Sequence, residues 1–299
     1  MSRGSIVVAL AVSLVLLVAA SAEAASTAFV TVGTAFKRVD LGTGGVTSIG
    51  SLSSGADPME GLALSSGSSL YGTGGSGPNP SLFRVDKTTG NTISSGGLGV
   101  PSTTQAAGLA FDSAGMLWMA ATHYPVVGDP VPKLYRVDPG IPTAIFVGDT
   151  GEYVGGLAGA CDGTVYGSAV GMSGWELVKV NTGTGALTSV GPMGGSGPDA
   201  AHDVDIAIDH ATGTLWAVDF DDGKFYVLDK GTGAATQSAF PPLAGVNGIA
   251  IDSAAQCPPP GGGTPSPPAG TTKKKCKKAK KKHGKRAAAA RKCKKRKRR

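Results

Sequence analysis

The chain has 299 residues, with 28 Lys and Arg against 21 Asp and Glu, which gives a formal net charge of +7. Its 47 glycines argue against a helical protein, because glycine weakens helix interiors, and its 41% hydrophobic content excludes disorder throughout. The charge is divided along the chain. Residues 25–271 hold 20 acidic and nine basic residues, whereas residues 272–299 hold 18 basic residues and no acidic one. We therefore expect an acidic folded body followed by a strongly basic segment.

Residues 1–24 have the pattern of a secretory signal peptide. Arg3 supplies the positive start, residues 6–20 form an apolar run, and Ala22-Glu23-Ala24 matches the small-x-small cleavage rule. The run is shorter than the roughly 20 residues that a membrane span needs. The sequence predicts cleavage near Ala24 and a secreted or cell-envelope-associated protein.

A repeat begins after this segment. Its most regular unit is Gly-Leu-Ala or Gly-Ile-Ala, starting at Gly61, Gly108, Gly156 and Gly248, with Asp205-Ile206-Ala207 as the variant. An apolar-aromatic pair follows each of the first four units, and Val-Asp or a related pair followed by a Thr-Gly turn also recurs. These short runs rich in Val, Ile, Thr, Tyr and Trp, separated by Gly and Asp, are typical of strands and hairpins. We assign a structural role to the turn aspartates, whose side chains accept hydrogen bonds from nearby backbone N–H groups.

Four short strands every 43–49 residues match the size of a propeller blade. The amino-terminal repeat lacks its first strand, and an unmatched first strand follows the fourth blade at Gly248. Joining these pieces leaves no exposed edge strand. The sequence predicts an all-β fold, a single five-bladed β-propeller over residues 25–257, closed by pairing of the amino-terminal strands with the last strand. A Pro/Gly-rich linker over 258–272 and a disordered polybasic tail over 273–299 are expected to follow.

The repeat resembles a broad group of bacterial secreted β-propellers with NHL, YVTN and WD-like repeats. The resemblance covers roughly residues 26–256 and depends on units such as Leu134-Tyr135-Arg136-Val137-Asp138 and Gly108-Leu109-Ala110. The resemblance implies a β-propeller fold and does not identify a ligand. The basic tail resembles, in composition, tails on exported actinobacterial proteins.

Propellers bind ligands at the mouth of the central channel, so the residues just before the repeated unit are candidates. Blade four departs most from the repeat there. The predicted ligand-binding set is Glu60, His202, Asp203, Asp205 and Asn247. Oxygen ligands of this kind suit Ca²⁺ and loosely resemble the metal site of gluconolactonase-type propellers, although that family has six blades. Paired carboxylates would also suit a glycosidase, as in five-bladed arabinanase-like folds. Polar residues solvated at a channel rim are the simplest alternative, and we assign no catalytic residue.

The four cysteines suit an oxidising compartment, and they form no Cys-x-x-Cys motif of a zinc site. Cys276 and Cys293 flank the basic run and are able to close a loop. Cys161 and Cys257 lie two blades apart in the repeat, so we do not expect them to pair, although the sequence alone does not determine connectivity. Residues 219–223 resemble a calcium loop in part, but a hairpin with an Asp-Gly turn fits their spacing better.

The tail is expected to bind anionic cell-wall polymers or an anionic membrane surface through sequence-independent electrostatics. It has no aromatic residue for base stacking and follows an export signal, so we expect no specific nucleic-acid partner. A solubilising role, or contact with the acidic body, is the alternative. The basic residues are Lys273, Lys274, Lys275, Lys277, Lys278, Lys280, Lys281, Lys282, Lys285, Arg286, Arg291, Lys292, Lys294, Lys295, Arg296, Lys297, Arg298 and Arg299.

Together these features favour an exported, non-enzymatic binding module, which we expect to be monomeric and to present a glycan or protein site on a propeller face. The alternative is an extracellular hydrolase acting on a carbohydrate or lactone, with a metal ion or carboxylates at the channel mouth.

Overall fold

The computed structural model describes residues 26–53, 55–56, 59–74, 80–101, 104–123, 132–171, 174–194, 203–253 and 257. These residues form 20 β-strands. No helix with the length and hydropathy of a membrane span occurs among them. The predicted signal peptide, the linker, the basic tail and His202 lie outside the described residues.

The strands form five antiparallel four-stranded sheets, which we number as blades in chain order. Blade 1 contains β4 (Met59–Leu64), β5 (Leu70–Gly74), β6 (Ser81–Val85) and β7 (Thr92–Gly97). Blade 2 contains β8 (Thr104–Phe111), β9 (Leu117–His123), β10 (Lys133–Asp138) and β11 (Thr143–Asp149). Blade 3 contains β12 (Val154–Gly159), β13 (Val165–Gly171), β14 (Gly174–Val180) and β15 (Leu187–Pro192). Blade 4 contains β16 (Val204–Asp209), β17 (Thr214–Asp219), β18 (Phe225–Leu228) and β19 (Ala235–Gln237).

Blade 5 is built from both ends of the folded region. It consists of β20 (Val246–Asp252), β1 (Thr27–Val32), β2 (Ala35–Asp40) and β3 (Val46–Ser51), in that order across the sheet. Strands β1 and β20 pair antiparallel, from Thr27 opposite Asp252 to Val32 opposite Val246. The predicted closure of a five-bladed ring is therefore confirmed. Closure of this kind gives the first strand of the last blade a partner and removes an exposed edge.

The first strand of each blade faces the centre. Each of these strands, β4, β8, β12, β16 and β20, contacts the first strands of both neighbouring blades, which closes the inner ring. Apolar side chains fill the spaces between blades. Between blades 5 and 1, for example, Phe36 and Met59 are fully buried in one cluster with Leu62. The outermost strands, such as β7 with the exposed Ile93, contribute little to this core.

The turn aspartates have the structural role that the sequence predicts. Oδ1 of Asp86 accepts hydrogen bonds from the backbone N–H groups of Thr88 at 2.8 Å and Thr89 at 3.0 Å. The Thr88 hydroxyl also donates to this oxygen, and together these donors hold the pKa of Asp86 below its usual value. The same backbone arrangement recurs at Asp40, Asp138 and Asp229. Residues 219–223 also form the predicted hairpin turn, with Val218 opposite Phe225.

Candidate functional site

The innermost strands begin around a cavity of about 150 Å³, which we call the start end of the channel. Its lining includes at least one residue from every blade, and the polar members are Glu60, Gln105, Tyr153, Asp203, Asp205 and Asn247. Four of the five predicted residues therefore lie around one cavity. Ligand binding by them stays a prediction.

Local irregularity in the strands explains how two of these side chains, Glu60 and Asn247, reach the cavity. The pairing register shifts at Glu60 in β4, near Ala107 in β8, at Gly155 in β12 and at Asn247 in β20. Each shift leaves one extra residue directly before or within the repeated unit. Bulges of this kind redirect a side chain, which here places the position before the repeated glycine at the channel.

Blade 4 is different because β16 pairs with β17 in an unbroken register. Its strand has Asp205 where the other blades have glycine. Gly61, Gly108 and Gly156 lack room for a side chain at that position, whereas at Gly248 the nearest atom to an added Cβ would be a Leu62 side-chain carbon at 3.1 Å. A Cβ added at Gly156, for example, would lie 2.5 Å from Oδ1 of Asp205. The side chain of Asp205 in blade 4 therefore fits because the facing residue in blade 3, Gly156, has no side chain.

Asp205 is 6% exposed, and backbone groups occupy both of its carboxylate oxygens. Oδ1 accepts a hydrogen bond from the N–H of Ile206 and Oδ2 accepts one from the N–H of Ile249, each at 2.8 Å. The second bond joins blade 4 to blade 5. Burial raises the pKa of Asp205 well above its usual value, opposed by these two bonds. The residue lines the cavity and also connects two blades.

Glu60 is the half-buried carboxyl of the start end. Gln105 Nε2 donates a hydrogen bond to Glu60 Oε1 at 2.6 Å. Burial raises the pKa of Glu60 to about 7, the negative charge of Asp203 adds to the increase, and the bond from Gln105 opposes it. Glu60 therefore changes charge close to neutral pH.

Tyr153 and Asp203 form the other polar contact of the cavity. The Tyr153 hydroxyl donates to Asp203 Oδ1 at 2.7 Å. Burial, followed by the charge of Asp203, raises the pKa of Tyr153, so its hydroxyl remains a donor at physiological pH. Asn247 turns its Oδ1 toward the backbone N–H of Gly33, at 3.3 Å. Gln105 and Tyr153 were not among the predicted residues.

The carboxylates of the start end do not form a compact cage for a cation. Within the described residues, Glu60, Asp203 and Asp205 are not a group of three whose ligand atoms all lie within 4.8 Å of one another. Ca²⁺ binds six to eight oxygens at 2.3–2.6 Å, which usually brings its ligands this close. Calcium binding at this end stays a prediction.

The innermost strands finish at the opposite end, which we call the finish end. A smaller cavity of about 40 Å³ lies there between residues of all five inner strands, with His210 in its lining. A disulfide joins Cys161, which follows β12, to Cys257, which follows β20, across 96 residues. Our expectation that these cysteines do not pair is wrong. Two blades separate them around the ring, but the ends of inner strands lie close together at the channel axis.

Comparison with known proteins identifies no family. No family model matches the chain, and no curated protein matches it. Solved structures resemble it at low identity. A chain of a nidogen/laminin complex is 11% identical with a TM-score of 0.49, covering 76% of this chain and 98% of that one. A gluconolactonase from Xanthomonas campestris is 18% identical with a TM-score of 0.46, covering 75% and 79%.

A PQQ-bound aldose sugar dehydrogenase from Streptomyces coelicolor is 19% identical with a TM-score of 0.44, covering 73% of this chain and 79% of that one. At these levels of similarity, the likeness carries no information about the ligand or activity of this chain.

Proposed function

We propose that this protein is an exported, non-enzymatic binding module whose start end takes a small hydroxylated ligand, such as one sugar ring, that is neutral or positively charged. The observation that carries the proposal is the polar lining of one cavity by residues from all five blades. Hydroxyl-rich ligands are held by convergent acceptors and donors, which Glu60, Asp203, Gln105, Tyr153 and Asn247 supply.

The charge of the cavity defines the ligand class. Three acidic residues line it, and no lysine or arginine is among its described lining residues. A phosphorylated or carboxylated ligand would face like charges without a compensating cation, which disfavours its binding. The volume of about 150 Å³ is below the roughly 300–1,000 Å³ typical of drug-sized ligands, so a single ring or the end of a polymer fits best.

A binding screen tests this proposal on the mature chain, residues 25–299. Neutral sugars and amino sugars form one arm, and uronic acids and sugar phosphates form the other. We expect binding in the first arm and none in the second. Tyr153→Phe should weaken the binding by removing a donor, while Tyr71→Phe, outside this cavity, serves as the control. Binding confined to the anionic arm would contradict the proposal.

The basic tail has a separate part in the proposal, which is to hold the propeller to anionic cell-envelope polymers. The opposite charges of residues 25–271 and 272–299 support this division. A chain truncated after Ala269 should lose retention on anionic vesicles and on phosphate-rich polymers. Retention of the full chain should fall steeply with salt, because each phosphate contact releases a counterion. Equal retention of both chains would contradict a tethering tail.

A hydrolase remains the second candidate because of Glu60. A carboxyl group with a pKa of about 7 is suited to general acid catalysis at neutral pH, and the charge of Asp203 acts on it. The test is turnover on a panel of glycans and lactones. Hydrolysis that is abolished by Glu60→Gln, and kept by Glu176→Gln, would favour this candidate over pure binding.

A further inference from the structure

Sulfur and imidazole groups meet at the finish end of the channel. Cys161, His210 and Cys257 each offer a metal-ligating atom, and these atoms all lie within 4.8 Å of one another. Nδ1 of His210 is 3.4 Å from Sγ of Cys161 and 3.5 Å from Sγ of Cys257. Nε2 is farther from Cys257 Sγ, at 4.0 Å, so Nδ1 is the nitrogen directed between the two sulfurs.

The repeat shows that the fold does not require these residue types. The position five residues after the start of the Gly-Leu-Ala unit or its variant is occupied, in chain order, by Ser66, Ser113, Cys161, His210 and Ser253. Three blades therefore have serine where blades 3 and 4 have cysteine and histidine. The chain then continues past Ser253 and brings Cys257 to the same two residues. The disulfide accounts for Cys161 and Cys257, and His210 is the departure from serine that the disulfide does not explain.

The two nitrogen–sulfur distances match those of a tetrahedral zinc site, and reduction of the disulfide frees the two sulfurs to move apart to the roughly 3.8 Å that two Zn–S bonds need. Zn–S bonds of about 2.3 Å and Zn–N bonds of about 2.0–2.1 Å place the nitrogen and each sulfur about 3.5 Å apart. Both nitrogen–sulfur distances already have this value. We propose that reduction of the Cys161–Cys257 disulfide creates a binding site for a thiophilic metal ion such as Zn²⁺, with His210 Nδ1 as the third ligand.

Two chemical steps lead to the metal-bound form. An external dithiol gives two electrons and two protons to the disulfide, so that the S–S bond breaks, two thiols form, and the dithiol becomes a disulfide. Zinc binding then displaces the proton of each thiol as two thiolate–metal bonds form. The side chain of Cys161 is on the exposed side of the cluster, so water is able to complete the fourth position.

The experiment uses mature protein with Cys276→Ser and Cys293→Ser, so that only the propeller thiols can bind metal. The protein is reduced with a dithiol, freed from it without oxygen, and titrated with Co²⁺, which reports thiolate ligation in its absorption spectrum. We expect one Co²⁺ per reduced chain, displacement by Zn²⁺, and no binding to the oxidised chain. Absence of cobalt–thiolate absorption in folded, reduced protein would overturn the proposal.

Two variants distinguish a metal site that includes His210 from metal binding by the two thiols alone. His210→Ala should weaken Co²⁺ binding at least tenfold, since even the loss of groups that only support a ligand costs about 10–100-fold. His283→Ala, in the tail, is the matched control and should bind as the parent does. An unchanged affinity and spectrum in His210→Ala would contradict the assignment of His210.

If reduction unfolds the chain, recovery of the fold on addition of metal tests the proposal instead. A metal that binds only the folded chain must then restore its circular dichroism spectrum, because metal binding and folding are coupled. Zn²⁺ should restore the parent and fail to restore His210→Ala. Failure of Zn²⁺ to restore the parent would overturn the proposal.

Discussion

The two ends of the channel are made by the same five strands and have opposite chemistry. The start end is an oxygen-rich cavity of about 150 Å³ with three acidic residues, whereas the finish end is a cavity of about 40 Å³ with a disulfide and an imidazole nearby. The inner strands between them repeat Gly-Leu-Ala with little variation. The repeated unit therefore determines the five-bladed ring. The residues just before and just after it determine the chemistry of the two channel ends.

The blades are also connected differently at the two ends. At the start end, Asp205 connects blades 4 and 5 through the backbone N–H of Ile249. At the finish end, a covalent bond connects blades 3 and 5. Loss of either connection should therefore affect the stability of the ring, by different amounts and with different dependence on solution conditions.

The largest effect is expected from removing the disulfide. Cys161→Ser with Cys257→Ser opens a covalent loop spanning 96 residues, which should lower the free energy of unfolding by about 4 kcal/mol. Urea denaturation of the oxidised proteins measures the difference. The matched control is Cys276→Ser with Cys293→Ser, which should unfold at the same urea concentration as the parent. Equal midpoints for all three proteins would show that the disulfide adds nothing to the ring.

A smaller effect is expected at the start end. Asp205→Ala leaves the N–H groups of Ile206 and Ile249 without this acceptor, and the loss should be about 3 kcal/mol. Asp205→Asn keeps a carbonyl oxygen for one N–H group but turns its NH2 toward the other, so it should lose nearly as much in the same urea experiment. Asp203→Ala, at an exposed residue, should change stability by less than about 1 kcal/mol. If Asp205→Ala is as stable as Asp203→Ala, Asp205 does not connect the blades.

A third effect depends on pH. Burial raises the pKa of Glu60 from 4.5 to about 7, so the folded state holds a proton that the unfolded state has lost between these values. Stability should therefore fall as pH rises from about 4.5 to about 7 and stay lower above that. Glu60→Gln removes this penalty, and it should stabilise the protein by about 3 kcal/mol at pH 8 but not at pH 4. Glu176→Gln is the control, and an equal pH profile for Glu60→Gln and the parent would contradict the shift.

The fold could be predicted from the sequence because its signals repeat. The unit beginning at Gly61, Gly108, Gly156 and Gly248 fixes the phase of every inner strand, and the missing strand before Ala28 indicates closure through β20. Turn aspartates such as Asp86 follow from local hydrogen bonding alone. Each of these features depends on residues close in sequence or on a regular period.

The site could be predicted only in part, since it depends on departures from the period. Glu60 and Asn247 were found because they precede the repeated glycine. Gln105 and Tyr153 each lie three residues before the repeated glycine, and nothing in a single sequence indicates that this position also faces the cavity. Cys161 and His210 share a repeat position, a signal that alignment of the repeats contains. The pairing of Cys161 with Cys257 depends on the short distance between the ends of two inner strands across the channel, which the sequence does not contain.

The ligand site at the start end is tested most directly by calorimetric titration of the mature protein at pH 8. The titrant is the tightest-binding sugar of the neutral and amino-sugar arm. Glu60→Gln should weaken its binding roughly tenfold or more, because a hydrogen bond to a charged group is worth about 1.5–3 kcal/mol, while Glu176→Gln should leave it unchanged. Equal affinities in Glu60→Gln and the parent, or no binding by any sugar in that arm, would contradict the claim.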